Sequence, residues 1–131
     1  MLSSSLGIVI VFKVIWKAYE YYSEAYPVFV KLQNHLFASN VQTAFAQGYL
    51  MQQKLPAVKN SLMLLHDHYS KLNYLAGQGM EKNFWAQYYS ANGEFAKADS
   101  FFNQSTAIAE KLDLQALKTL NAIMISQHLE R

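Results

Sequence analysis

The sequence predicts an all-α protein, a superhelix of antiparallel helix hairpins with about six or seven helices. The first observation is self-similarity at a fixed spacing of about 40 residues, inside the range that marks stacked repeats. Phe45, Ala46, Gln47 and Tyr49 recur as Trp85, Ala86, Gln87 and Tyr89, then more loosely as Ile125, Ser126, Gln127 and Leu129. A second set runs in step: Ile15, Ala18, Tyr22, Ala25 and Leu32; Leu55, Val58, Leu62, Leu65 and Leu72; Phe95, Ala98, Phe102, Ser105 and Leu112. The second observation is that no sustained two-residue alternation of the kind strands need occurs outside the N-terminal apolar run. The third is the scarcity of breakers, with five Gly and two Pro in 131 residues.

Taken in chain order, residues 6–12 are a continuous apolar run, which Val14, Ile15 and Trp16 extend past Lys13. A spanning helix needs roughly 20 apolar residues, and Lys13 and Lys17 interrupt this one. A signal peptide carries basic residues before its apolar core, and none precedes Lys13. A short buried helix near 3–12 is therefore expected, with a membrane anchor as the alternative. A long helix near 15–37 follows, with Pro27 either kinking it or splitting it in two. Helices are then expected near 40–53, capped by Asn40, and near 55–75, with Pro56 in the first turn where its missing N–H is harmless. Gly77-Gln78-Gly79 reads as a break before a helix near 80–92, and Asn92-Gly93 as a turn before one near 95–111. Asp113 is placed to cap a last helix near 114–130. No linker divides the chain, so residues 1–131 read as a single domain or as a segment of a longer array.

Composition narrows the function. Hydrophobic residues make up 52% of the chain and charged residues 15%, against about 25% charged in an average soluble domain. So charge-poor a surface suits a protein that covers apolar area with a partner. A net charge of +2 with scattered Lys and Arg argues against nucleic acid. With no cysteine, disulfides and thiolate metal sites are excluded.

The best-formed unit runs from Phe84-Trp85-Ala86-Gln87-Tyr88-Tyr89 through Gly93-Glu94-Phe95 to Ala98, Phe102 and Ser105. It is similar to the tetratricopeptide repeat, a helix–turn–helix unit. Ala86 and Ala98 are small where two helices cross closely, Tyr89, Phe95 and Phe102 fill the space beside them, and Gly93 frees the turn. The middle unit keeps Ala46, Tyr49, Leu55, Val58, Leu62 and Leu65 but has Gln53 in place of the turn glycine. The first unit keeps only Ile15, Ala18, Tyr22 and Ala25, and the last is a lone first helix over 122–129. Two features depart from the family: its common period is about 34 residues, and its proline closing the second helix is absent, Glu110-Lys111 continuing instead. Long units of this type imply a regulatory or signalling context in bacteria.

The resemblance also implies that the first helix of each pair lines a concave face. That places Asn40, Thr43, Gln47 and Leu50 on one helix, Asn83, Gln87 and Ser90 on the next, and Leu120, Ile123 and Gln127 on the last. Gln47, Gln87 and Gln127 hold equivalent positions, and a row of amides that both donate and accept suits a peptide backbone. The same amides also suit plain solvated helix faces.

His66-Asp67-His68 is the other candidate. Leu64-Leu65-His66-Asp67, with His35 upstream, resembles the metal-binding stretch of HD-type phosphohydrolases, which implies His35, His66 and Asp67 as ligands and Asp99 or Asp113 as a fourth. The Gly-Lys-like continuation is missing, and His66 and His68 point to different sides of a helix. Gly77-Gln78-Gly79 lacks the strand a phosphate loop needs, and Asn103-Gln104-Ser105 is a sequon inside a helix with Ser105 facing the core. No serine shows a His and an acid at a familiar spacing, and the tyrosines at 19, 21, 22, 26, 88 and 89 read as packing residues with one wet edge.

The favoured expectation is a non-enzymatic, cytoplasmic scaffold that binds a protein segment or peptide in its concave groove, with no cofactor. The first rival is the metal phosphohydrolase. The second is a self-associating assembly module, pairing through the under-covered residues 6–16 and 120–125 or tethered to a membrane by the first of these.

Overall fold

A computed structural model describes residues 4–130. Among the described residues six α-helices follow one another with no strand: α1 (Ser4–Lys31), α2 (His35–Met51), α3 (Leu55–Leu72), α4 (Leu75–Ala91), α5 (Phe95–Lys111) and α6 (Gln115–Leu129). From α2 onward the helices start at His35, Leu55, Leu75, Phe95 and Gln115, a constant interval. A hairpin of two such helices accounts for the recurrence in the sequence. The long period has a simple cause: α2, α4 and α5 each run 17 residues, close to five turns at 3.6 residues per turn.

The connections are nearly identical. Each places one residue in the left-handed region, Gln33, Gln53, Asn73, Gly93 and Asp113, at the same constant interval. In each the next N–H reaches back to a carbonyl in the last turn of the helix, as in Lys54 to Tyr49 at 3.0 Å and Glu94 to Tyr89 at 2.9 Å. This is the Schellman closure of a helix C-terminus. Gln53 therefore takes the place of Gly93, at a cost on the order of 1 kcal/mol for its Cβ.

Burial follows the repeat where a hairpin is complete. Ala46 and Ala86 are fully buried, as are Val58 and Ala98 on the facing helices. The main core joins Val58, Leu62, Leu65 and Tyr69 of α3 to Ala46 of α2 and Phe84 and Tyr88 of α4, and a second gathers Ala86, Ala98 and Phe102. Consecutive helices pack together, and α2 touches α4 and α4 touches α6. Among the described residues the backbones of α1, α3 and α5 stay apart, and α1 reaches α3 through side chains, the Tyr26 hydroxyl lying 2.7 Å from His68 Nε2. The even helices thus form a tight inner row and the odd helices splay outside it.

Several sequence expectations are corrected. The helices near 3–12 and 15–37 are one helix, α1, which passes through Pro27 and ends at Lys31. Pro27 is tolerated because it and Ser23, whose carbonyl loses its partner, are both exposed to water. Ala18 does not share the seat of Val58 and Ala98: it is exposed, because α1 itself takes up the residues ahead of 15 and no other described helix lies over that side of it. Asn40 lies within α2; the cap is Asn34, whose Oδ1 accepts from the Phe37 N–H at 3.2 Å. Gly77 and Gly79 lie inside α4 and permit close packing, since a Cβ on Gly79 would sit 2.8 Å from Ile108 of α5 and 2.9 Å from Leu117 of α6. Asp113 is the turn residue before α6, and its carboxylate accepts from Lys118 at 2.7 Å. The side chains of residues 4–6, 8 and 12 lie outside the described part, as do residues 1–3 and 131.

Candidate binding groove

The inner row of even helices carries a groove of about 700 Å³. Gln47 from α2, Gln87 from α4 and Gln127 from α6 all line it, so amides spaced 40 residues apart in the sequence meet along one surface. Its apolar walls come from Leu50, Leu55, Phe84, Phe102, Leu120 and Met124. No lysine, arginine, aspartate or glutamate is among the described residues that line it. Gln47 and Gln127 are exposed and Gln87 is half-buried.

The other residues assigned to this face from sequence are placed differently from one another. Leu50 and Leu120 line the groove; Asn40 and Ile123 are exposed but lie outside it. Thr43 donates to the Ser39 carbonyl at 2.9 Å and sits 3.4 Å from the Tyr69 hydroxyl, so its polar atom is already engaged. Asn83 is fully buried beneath the groove. Its Nδ2 donates to Asn121 Oδ1 at 2.7 Å, and its own Oδ1 accepts from Gln87 Nε2 at 2.6 Å. The Ser105 hydroxyl shares its one proton between the Gly79 carbonyl at 2.7 Å and the same Asn121 oxygen at 3.1 Å. This buried chain of amides holds α4 and α6 at a fixed spacing and orients Gln87. With Nε2 engaged below, the oxygen of Gln87 is the atom offered to a ligand.

Ser90 and His128 close one end of the groove. The Ser90 hydroxyl lies 2.8 Å from His128 Nδ1, and His128 Nε2 lies 2.8 Å from Asp99 Oδ1. A serine, an imidazole and a carboxylate in series are the parts of a nucleophilic triad. A working triad also needs hydrogen-bond donors aimed at an oxyanion. Ser90 sits in the last turn of α4, where the helix presents carbonyls and the negative end of its dipole. Phe95 and Phe102 also flank the imidazole, with ring centres 5.5 and 5.6 Å away. The arrangement ties the C-terminal ends of α4 and α6 to α5. Sequence reading missed it because a serine–histidine separation of 38 residues carries meaning only once the length of a hairpin is known.

The histidines singled out for metal binding are separated. His35 Nδ1 lies 3.0 Å from His68 Nδ1, and His68 Nε2 lies 2.7 Å from the Tyr26 hydroxyl. A consistent proton arrangement has Tyr26 donating to His68 and His68 donating to His35. Burial, aided by His35 alongside, pushes the His68 imidazole below its usual range, while burial lifts the Tyr26 phenol. His66 donates to the buried carboxylate of Glu81 at 3.1 Å, which also accepts from Trp85 at 2.8 Å. Asp67 pairs with Lys71 at 3.2 Å. Among the described residues no three His, Asp or Glu side chains are gathered to hold a metal ion.

No family model, no curated protein and no solved structure matches this chain.

Proposed function

We propose that this protein is a binding scaffold that captures an extended, uncharged segment of a partner polypeptide along its inner row of helices. The observation that carries this reading is the convergence of Gln47, Gln87 and Gln127 on one apolar-walled groove. Helices in direct contact stand about 8–10 Å apart, and an extended chain advances about 3.3 Å per residue. One step between even helices therefore matches about three residues of ligand, and the full row about six. Each primary amide offers a donor or acceptor to the ligand backbone, while the apolar walls receive side chains. The uncharged lining selects against charged segments, because a charge seated there would lose its hydration without gaining a partner. The resemblance of residues 84–105 to the tetratricopeptide repeat supports the same use of the fold.

The test is selection of random displayed peptides on the full chain, followed by titration of a synthetic binder. Gln47→Ala/Gln127→Ala removes two exposed amides and should weaken the binder about thirtyfold, at roughly 1 kcal/mol per hydrogen bond. Melting should stay within about 2 °C of the parent. An unchanged affinity, or binders rich in Asp, Glu, Lys or Arg, would remove the groove from the account.

A further inference from the structure

The amino-terminal part of α1 is unlike the rest of the molecule. Helix α1 has 28 residues and its partner α2 has 17, a difference that leaves about 16 Å of α1 without a neighbour among the described residues at 1.5 Å per residue. Ile15 and Trp16 share a cleft with Tyr49 and Gln52 at the end of α2, and close contact is established at Tyr19, whose hydroxyl donates to the Ala44 carbonyl at 3.1 Å and whose ring stacks on Phe45. Ahead of it, every residue from 9 to 18 whose side chain is described is exposed. Val9, Ile10 and Val11 are 47%, 43% and 56% exposed, and Val14 and Trp16 65% and 67%. Three consecutive helical residues spread over about 200° of the helix surface, so the exposed apolar area here surrounds the helix rather than forming one stripe. A partner helix covers one stripe; a lipid phase covers every side.

The flanking residues suit a headgroup layer. Lys13 and Lys17 are exposed, and no acidic residue lies ahead of Glu20 in the sequence. Trp16, Tyr21 and Tyr22 follow within about 9 Å of helix, the residue types that settle at a membrane interface. Trp16 is exposed and donates its indole N–H to Glu20 at 2.8 Å. No described helix is long and apolar enough to cross a membrane. Residues 6–16 nevertheless reach about 16 Å, close to the depth of one leaflet, and Lys13 can extend its amine back to the surface.

From this the geometry points to a membrane-seated α1: its amino-terminal part enters one leaflet of a bilayer carrying anionic headgroups, with Lys13, Trp16 and Lys17 at the headgroup level. The inner groove then stays on the aqueous side, carried by a peripheral membrane protein. This inference does not depend on what the groove binds.

The test is co-sedimentation of the full chain with vesicles of phosphatidylcholine and phosphatidylglycerol, alongside light scattering of the free protein. The parent should bind. Lys13→Gln/Lys17→Gln should weaken binding about thirtyfold, and Val11→Asp/Val14→Asp by more than about a hundredfold. All four positions are exposed, so circular dichroism and melting should not change. Failure of the parent to bind overturns the inference. So does binding that survives Val11→Asp/Val14→Asp, or a dimer that those substitutions dissolve in a protein indifferent to vesicles, which would make a second copy the occupant.

Discussion

Replacing Asn83 by alanine separates what holds this fold from what its groove offers. Asn83 is fully buried, donates to Asn121 at 2.7 Å and accepts from Gln87 at 2.6 Å. Its loss leaves the Asn121 oxygen with Ser105 alone at 3.1 Å, while the Asn121 amide nitrogen already has no partner among the described residues. A buried hydrogen bond contributes about 1 kcal/mol net and a stranded buried group costs about 1–3 kcal/mol, so Asn83→Ala should destabilise by about 2–4 kcal/mol. With a urea slope of about 2 kcal/mol per molar, the unfolding midpoint should fall by about 1–2 M. Gln87→Ala loses one bond at a half-buried site that water can enter, and should cost less than about 1 kcal/mol. Asn83→Leu/Asn121→Leu removes both partners and should recover much of the single-variant loss, because an apolar pair strands nothing. Urea unfolding followed by circular dichroism measures all three. If Asn83→Ala costs no more than Gln87→Ala, the buried amide chain is not what fixes α6 on α4.

The other expectations follow from equally local features. Gln53→Gly relieves a Cβ at a φ of 56° and should stabilise by about 0.5–1 kcal/mol, while Gly93→Ala at a φ of 80° should destabilise by about 1–2 kcal/mol; paired urea titrations read both. Gly79→Ala places a methyl 2.8 Å from Ile108 and should cost about 1–3 kcal/mol from overpacking despite alanine's better helix propensity. Acid should weaken the fold through His68. Its folded-state pKa is lowered from 6.5, so the unfolded chain takes up that proton first, and stability complete above 6.5 is lost as pH falls below it. Thermal melts between about pH 7.5 and about pH 5.5 should show this loss, and His68→Gln should shrink it.

The sequence carried the interior of the stack better than its ends. A periodic recurrence of small residues was enough to seat Ala46 with Ala86 and Val58 with Ala98, because in those hairpins every helix has neighbours on both sides. The first hairpin broke the pattern at Ala18, since periodicity records a residue's place on its own helix and not whether another helix stands opposite. Gly77 and Gly79 misled for a related reason: a glycine that frees a turn and one that admits a neighbouring side chain look alike until Ile108 and Leu117 are seen against it. Within the groove, the shared position of Gln47, Gln87 and Gln127 was legible from spacing alone. That Asn83, one turn away on α4, lies underneath was not, because its burial depends on Asn121 of a helix 38 residues later.

The most direct test of the binding account is the change in side-chain amide NMR signals of the full chain on titration with a selected uncharged peptide. The account predicts that the amide signals of Gln47, Gln87 and Gln127 shift together along one binding curve, with Leu50 and Leu120 methyl signals moving in step. Shifts confined to α3 and α5, with the three glutamine amides still, would contradict it.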